Sequence, residues 1–357
     1  METAMNQNFL RQSLLASAVA ASLALPAIAS ADATLYGSFR LGMFKTDQSS
    51  AELADYASRI GLRGTVDLGL EQTQGIFHYE QGLSLNSGAL GGGRYASIGA
   101  TGPWGTLRGG KLDHPTYTYV GQVNEFAMSA LPVHIDVGYV ANGSNPARGF
   151  RADRRVSNTL AYTSPNLGGA EFMVAGVFAG EADGSVFGDT ATINPEKDRT
   201  LDGYNLGGKY TVEGLTLAAA YGAVKARKDV VSGYEVDSNL WGASARYNIQ
   251  NFRLAAKYEQ SKDKIDNSKE KGYGLQGTYE VNGYGASLGF SSVKADNASR
   301  EKATQIEVHH RMGNGVVALG YVDYNSAAIG TQTAGDRALW PLNRGNDTAY
   351  LTYRLQF

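Results

Sequence analysis

Apolar and polar side chains alternate with a period of two along much of the chain. The segment FRLAAKYE at 252–259 places Phe, Leu, Ala and Tyr at one set of alternate positions, and Arg, Ala, Lys and Glu at the other. The same period returns at 241–247, 304–311 and 351–357. Because successive side chains of a β-strand point to opposite faces of the sheet, this period predicts strands with one apolar and one polar face.

Length and aromatic content indicate where the apolar face of these strands lies. Most predicted strands run for about ten residues, the length that a tilted strand needs to cross the hydrocarbon part of a bilayer. The polar face is rich in Gly, Ser, Thr and charged residues, which suits a water-filled interior better than a dry core. Aromatic residues that end the apolar rows are typical of membrane barrels, and here they are Tyr221, Tyr247, Tyr258, Tyr279, Tyr284, Phe290, Tyr321 and Tyr353.

The connections between strands alternate between short turns and long polar segments. Short turns are predicted at 101–104, 164–168, 212–214, 248–251, 281–283 and 312–315. Long connections are predicted at 47–55, 181–200, 227–236, 261–270, 295–301 and 326–346. An up-and-down barrel requires this alternation, because short turns join its strands at one membrane surface and long loops join them at the other.

Sixteen strands can be counted between these connections. The predicted spans are 33–46, 56–67, 75–85, 93–101, 104–111, 154–163, 169–180, 201–212, 215–226, 237–248, 252–263, 270–281, 283–294, 302–312, 315–326 and 347–357. An even number lets the sheet close with both ends on one side, so that no edge strand leaves unpaired backbone groups in lipid. The sequence therefore predicts an all-β fold, a transmembrane up-and-down antiparallel β-barrel of about sixteen strands that occupies residues 32–357.

One predicted connection, at residues 112–153, is much longer than the others and lacks clean alternation. It contains three X-Pro steps, at 114–115, 131–132 and 145–146, and several glycines. Long connections without secondary structure of their own are often functional. In a barrel wide enough to be a channel, we expect this segment to fold into the lumen as a constriction loop.

The first residues have the features of an export signal. Arg11 supplies a basic start, Leu14–Ile28 is mostly apolar, and Ala29–Ala31 is a small-x-small cleavage site. The apolar part is interrupted by Ser residues and by Pro26, and it falls short of the ~20 residues of a spanning helix. We therefore expect residues 1–31 to be a signal peptide, with an N-terminal anchor helix as the alternative.

Composition matters mainly for what it excludes. With no Cys, the chain has neither disulfides nor thiolate metal sites, and its five His residues are scattered, so we expect no metal or cofactor. A net charge of −2 without a long basic run gives no case for nucleic-acid binding. The 45 Gly residues argue against a helical protein, because each Gly inside a helix costs about 1 kcal/mol relative to Ala.

Four motifs, in this order, resemble the general Gram-negative outer-membrane porins. TLYG at 34–37 resembles their first strand, and SRIGLRG at 58–64 resembles their second-strand signature. GTLRGGK at 105–111 resembles the run before their constriction loop, and RVSNTLAYTSP at 155–165 resembles the strand after it. The terminal Phe357 also resembles the final aromatic that the barrel-assembly machinery recognises. The resemblance covers nearly the whole predicted barrel.

This resemblance implies a homotrimer of sixteen-stranded barrels in the cell outer membrane, in contact with membrane lipid and lipopolysaccharide. Each barrel would hold its own water-filled channel, narrowed by the third external loop folded into the lumen. Ions and small hydrophilic solutes would cross by passive diffusion. No enzymatic step, cofactor or nucleic acid belongs to that function.

The family's constriction sets basic side chains of the barrel wall against carboxylates of the loop. Motif position implies that Arg59 and Lys111 are wall cations, although Lys111 stands where the family has arginine. Strand alternation independently points Arg40 into the lumen, because this residue shares parity with Tyr36 and Ser38.

The remaining site candidates lie in or beside the predicted loop. Arg155, or its neighbour Arg154, is a further wall cation. The candidate loop acids are Asp113, Glu125 and Asp136. Glu125 lies in the sequence NEF, a partial match to the family's P-E-F-G-G motif, but Ala and Met replace the two glycines.

Two other function classes would use the same fold. A barrel phospholipase needs a Ser nucleophile with a His base, and no His here lies in such a setting. A structural or adhesive barrel plugged by its own loop would conduct no ions. A substrate-specific channel is a variant of the diffusion pore. A ladder of aromatic residues along the pore would favour it, and Tyr117 and Tyr119 are the only close aromatic pair in the loop.

Overall fold

Almost every residue placed in the computed structural model belongs to a β-strand. The structure describes residues 32–47, 49–121, 123, 155–178, 193–194, 200–229, 235–296, 299–325 and 347–357, with side chains described except at 193–194, 224–229 and 235–236. The predicted signal peptide at residues 1–31 lies outside these ranges. The strands are β1 (Asp32–Thr46), β2 (Glu52–Asp55), β3 (Arg59–Leu70), β4 (Thr73–Leu83), β5 (Leu90–Gly102), β6 (Gly105–Asp113), β7 (Arg155–Thr163), β8 (Ala170–Val177), β9 (Ile193–Asn194), β10 (Gly203–Val212), β11 (Leu215–Asp229), β12 (Glu235–Ile249), β13 (Phe252–Asp263), β14 (Lys269–Val281), β15 (Tyr284–Ala295), β16 (Glu301–Met312), β17 (Gly315–Tyr324) and β18 (Thr348–Gln356).

The strands form one closed antiparallel sheet. Each long strand pairs with the long strands before and after it in the chain, and β1 closes the circuit by pairing with both β3 and β18. The short strand β2 pairs with β1 just beyond β3, and the two-residue β9 pairs with the far end of β11. Sixteen strands therefore make the wall, and the predicted up-and-down barrel is confirmed. Among the described residues, no helix is long and apolar enough to cross a membrane.

The two faces of each strand differ as the alternation predicts. In β13, Phe252 and Leu254 are exposed, whereas Ala255, Lys257 and Glu259 are buried. The largest apolar exposures belong to the outward row, where Ile98 is 73% exposed. Apolar side chains outside and polar ones inside are the reverse of a soluble barrel, so the outer face is built to contact lipid.

The short connections are tight hairpin turns. In the turn between β14 and β15, Asn282 and Gly283 have φ values of 50° and 80°. Two positive φ values are what a two-residue turn needs to match the twist of its strands, and Asn-Gly adopts them readily. The turn between β10 and β11 uses Glu213 and Gly214 in the same way, with φ values of 45° and 83°. The predicted turns at these two positions are confirmed.

The two ends of the described barrel meet at Gly37 and Phe357. The Gly37 amide donates to the Phe357 carbonyl at 2.9 Å, and the Phe357 amide donates to the Gly37 carbonyl at 3.2 Å. The Phe357 ring lies over Gly37 and meets Phe39 edge-on, with ring centroids 5.2 Å apart. A Cβ atom at Gly37 would overlap that ring, so the place of the ring at the seam depends on this glycine.

We predict that Gly37→Ala weakens the barrel, because the added methyl group displaces the terminal ring from the seam. Overpacking of this kind destabilises by about 1–3 kcal/mol. The measurement is the temperature at which the folded band is lost in SDS gels of heated samples. Gly92→Ala is the matched control, because a Cβ atom there would meet open space. Equal melting temperatures for the two variants would contradict the role given to Gly37.

Candidate pore constriction

A glycine lets Tyr36 reach across the inner wall. Tyr36 on β1 is the register partner of Gly61 on β3, and Gly61 is the partner of Glu80 on β4. A side chain at Gly61 would overlap the Tyr36 ring, so its absence opens a path over β3. The Tyr36 hydroxyl then donates to Glu80 Oε2 at 2.9 Å, and its oxygen lies 2.6 Å from His78 Nε2.

Glu80 is the centre of the first charged cluster in the lumen. The residue is 3% exposed, and its carboxylate pairs with Arg59 Nε at 3.3 Å and with Arg94 Nε. Arg59 is the register partner of Ser38, and it therefore lies in the inward row that alternation assigned to Ser38 and Arg40. Glu80 and Arg94 were not among the sequence candidates, because neither belongs to a recognisable motif.

A second cluster joins Asp113, Tyr95 and Arg155. The Tyr95 hydroxyl donates to Asp113 Oδ2 at 2.6 Å, and Arg155 Nε lies 3.4 Å from Asp113 Oδ1. The Arg155 guanidinium lies 4.3 Å above the Tyr95 ring, whose other contacts include stacking on His78 with centroids 4.5 Å apart. Asp113 and Arg155 are register partners on β6 and β7. They therefore pair with each other along one wall rather than facing each other across the pore.

Arg40 lies in the inward row with a different environment. Its side chain is 4% exposed, and its Nε donates to Ser38 Oγ at 3.0 Å. The register partner of Arg40 on β18 is another cation, Arg354. Arg59 and Arg94 also act on Arg40 electrostatically. Among the described residues, no carboxylate forms an ion pair with Arg40.

The structure does not bring Lys111 to these clusters. Lys111 is the register partner of Ala96, and Ala96 is the partner of Tyr79, which is 53% exposed on the outward row. An inward position on this strand belongs instead to Arg108, the partner of the buried Ala161. The other candidates, Arg154, Glu125 and Asp136, lie outside the described residues.

The chain leaves the wall at the end of β6 and packs against a distant part of it. A short helix, Thr116–Gly121, here called the loop helix, lies against β10–β13. Gly207 and Gly242 make room for it, because Cβ atoms there would lie 2.8 Å from Tyr119 and 2.9 Å from Val120. The loop helix therefore covers part of the wall that these strands form.

Polar contacts fix the loop helix to that wall. The Tyr119 hydroxyl donates to Glu171 Oε1 at 3.0 Å, and Ser244 Oγ donates to the Tyr119 carbonyl at 2.7 Å. Burial, with the neighbouring Glu171 carboxylate, raises the pKa of the Tyr119 hydroxyl, so it remains a hydrogen-bond donor.

His114, Thr116 and Asn205 form a buried latch at the start of the loop helix. Asn205 Oδ1 accepts from the Thr116 amide at 3.0 Å, and Asn205 Nδ2 donates to Thr116 Oγ1 at 3.0 Å. His114 Nδ1 lies 2.5 Å from Thr116 Oγ1 and 3.1 Å from Asn205 Nδ2. One amide on β10 thus satisfies both backbone and side-chain groups of the loop, which holds the loop helix at a fixed place.

No group of three or more His, Asp or Glu side chains suited to a metal ion occurs in the part of the chain that the structure describes. The chemistry of the inner wall is that of fixed charges and hydrogen-bond donors. A closed barrel with an apolar outer face and a charged inner wall defines a pore of the outer membrane.

Comparison with known proteins identifies the family. The family model described as Gram-negative porin matches residues 16–328, so the chain belongs to the Gram-negative porin family. It is 26% identical to an outer membrane porin protein of Bordetella pertussis over 71% of this chain and 70% of that protein. The protein is therefore an outer-membrane porin that forms a channel for passive diffusion. Family and relatives point to a channel rather than an enzyme.

Two solved structures show the same fold. The anion-selective porin from Comamonas acidovorans superposes with a TM-score of 0.72 at 18% identity, covering 92% of this chain and 100% of that one. The in-vitro folded OmpT of Vibrio cholerae, in its trimer form, gives 0.64 at 14% identity, covering 92% and 99%. At these identities the likeness concerns the fold alone.

We predict that Asn205→Leu loosens the loop helix, because the latch loses hydrogen bonds worth about 0.5–1.5 kcal/mol each. The expected result is a noisier open-channel current in planar bilayers. Asn239→Leu is the control, since Asn239 lies on β12 and bonds Tyr221 at 3.4 Å instead of the loop. An Asn205→Leu current as quiet as that of the control would show that the latch does not position the loop helix.

Proposed function

We propose that this porin favours anions, and that its constriction is lined by Arg40, Arg59 and Arg155 on the wall. The supporting observation is an imbalance of charge on β1–β7. Here the cations that act on one another are Arg40, Arg59, Arg94 and Arg155, and Arg108 lies near Asp113. The carboxylates among these cations are Glu80 and Asp113. A lumen walled by protein focuses such a field and raises the local concentration of the opposite charge.

The loop completes this proposal by narrowing the lumen and by supplying acids. Asp113 is already engaged by Arg155 at 3.4 Å, which leaves Glu125 and Asp136 as the proposed acids that face the cationic wall. Lys111 has no place in the proposed constriction, because it lies in the outward row. Facing rows of opposite charge would orient water across the pore and disfavour apolar solutes.

We also propose that the protein is a homotrimer and that its outer surface contacts lipid and lipopolysaccharide. The apolar outward row supports contact with lipid or with a neighbouring barrel. The solved Vibrio porin described above is recorded in a trimer form, which supports three barrels here. We propose that small ions and polar solutes diffuse through each pore.

Ion selectivity tests the proposed charge balance. In planar bilayers under a KCl gradient, the reversal potential should show preference for chloride. Glu80→Gln should increase that preference, because it removes the carboxylate shared by Arg59 and Arg94. Arg59→Gln should decrease it. Glu213→Gln, in a turn outside the lumen cluster, is the control. A wild-type preference for potassium would refute the proposal, and insertion without conductance would favour a plugged barrel.

The proposed trimer can be tested by conductance and by mass. Conductance steps should come in groups of three, and the folded protein should run in mild detergent at three times the mass of one chain. Chemical cross-linking before denaturation should trap dimers and trimers. Single independent steps together with a monomeric mass would contradict the assembly without affecting the pore itself.

A further inference from the structure

Lysines occupy the outward row at one end of four adjacent strands, β13–β16. This end joins the connections 264–268 and 296–300, and the two-residue turns join the opposite end, so the lysines lie on the external side. On β14, Lys269 and Lys271 are exposed, whereas Glu270 between them is 7% exposed and faces the lumen. The lysines of this outward row are Lys262, Lys269, Lys271, Lys294 and Lys302.

Strand alternation separates these lysines from the acids beside them in the sequence. Glu301 on β16 shares its row with the buried Ala303, whereas the next residue, Lys302, is exposed. On the neighbouring strand β12, Asp237 already pairs with Lys264 Nζ at 2.8 Å. Carboxylates of these strand ends therefore turn toward the lumen, and positive charge collects on the side of the barrel that faces the membrane.

Two pairs of these lysines lie directly opposite each other on adjacent strands. Lys262 is the register partner of Lys269, and Lys271 is the register partner of Lys294. Like charges in such positions destabilise a sheet. Asp296, in the adjoining connection, accepts a hydrogen bond from the Lys269 backbone amide at 2.9 Å. A phosphate group bound between the lysines would remove their repulsion, and lysine is a common ligand of phosphate.

An apolar groove lies below the lysines on the same outward face. Leu275, which lines it, is four residues from Lys271 on β14, or about 13 Å along a strand. The groove has a volume of about 530 Å³, and its lining includes Leu254, Leu275, Leu288, Phe290, Ala256 and Gly277. Leu254 and Leu288 are the register partners of Gly277, so the missing side chain of this glycine deepens the groove between them.

We propose that the lysine row and the groove together bind one lipopolysaccharide molecule of the outer leaflet. A lipid phosphate lies between the lysines, and an acyl chain fills the groove. Tyr258 and Tyr273 are register partners at the level between these two parts, where aromatic residues of a membrane barrel meet the interface. A phosphorylated glycolipid presents an anion and then an apolar chain in the same order, from the membrane surface inward. This inference rests on the proposed contact with lipopolysaccharide and gives that contact a place.

Lipid A carrying both phosphates is the probe. The folded protein, freed of lipid in detergent, is titrated with it, and bound lipid is counted by native mass spectrometry. Lys271→Gln should raise the dissociation constant about tenfold, since it removes a charged hydrogen-bond donor. With lipid A that lacks its phosphates, Lys271→Gln and the wild type should bind equally. Gly277→Leu should weaken the binding of both lipids, because its side chain fills the groove. Heat-modified mobility in SDS gels checks that each variant is folded.

Lys45→Gln is the matched control, because Lys45 is also an exposed lysine near a strand end, but on β1, where its Nζ donates to the Thr46 carbonyl at 2.9 Å. Its dissociation constant should stay that of the wild type. Equal weakening in both lysine variants would overturn the site, because it would indicate a general attraction of anions. Loss of the trimer in Lys271→Gln with unchanged lipid binding would also overturn it, and would assign this face to a neighbouring barrel. A wild type that does not bind lipid A would defeat the proposed lipopolysaccharide contact as well, without affecting the proposed ion preference.

Discussion

Every backbone amide and carbonyl within a bilayer needs a hydrogen-bond partner, and the whole architecture depends on this constraint. The sheet meets it by closing, since β1 pairs with both β3 and β18, and the seam ends in the exchange between Gly37 and Phe357. Once closed, the sheet gives every strand one face in lipid and one face in the lumen. The charged clusters around Glu80 and Asp113 thereby lie on the inner wall, where solutes can meet them.

Glycines turn that inner wall into a connected network. In three places a long side chain crosses a glycine on the adjacent strand and bonds a carboxylate one strand further on. The crossings are Tyr36 over Gly61 to Glu80, Tyr350 over Gly320 to Glu307, and His309 over Gly285 to Glu280. Without a Cβ in the way, the crossing side chain lies flat on the wall and leaves the lumen open. The carboxylates are thus held by donors from two strands away.

The sequence predicted the barrel well because the alternation of apolar and polar residues is a local property, and each strand keeps it in the structure. It placed Arg40 inward by parity alone, and the structure places Arg40 there. Alternation does not predict the direction of a side chain beyond a β-bulge, because the extra residue reverses the two faces. Register shifts on either side of Gln81 therefore prevented the direction of Arg94 from being predicted. Lys111 follows Gly110, whose φ of 131° marks another irregularity, and the register there pairs Lys111 with Ala96 in the outward row. Glu80 carries no motif, and its importance is visible only once its neighbours across the sheet are known.

Selectivity in such a wall depends on which charges remain uncompensated. Glu80 is shared by Arg59 and Arg94, so one carboxylate serves two cations, while Asp113 serves Arg155. At an effective dielectric constant of about 20, two unit charges that lie ~4 Å apart interact with an energy of about 4 kcal/mol. A guanidinium that no carboxylate among the described residues balances therefore contributes more to the electrostatic potential of the pore than a distant ion pair whose charges cancel. The residual positive charge near Arg40 and Glu80 is the physical basis on which an anion would be preferred.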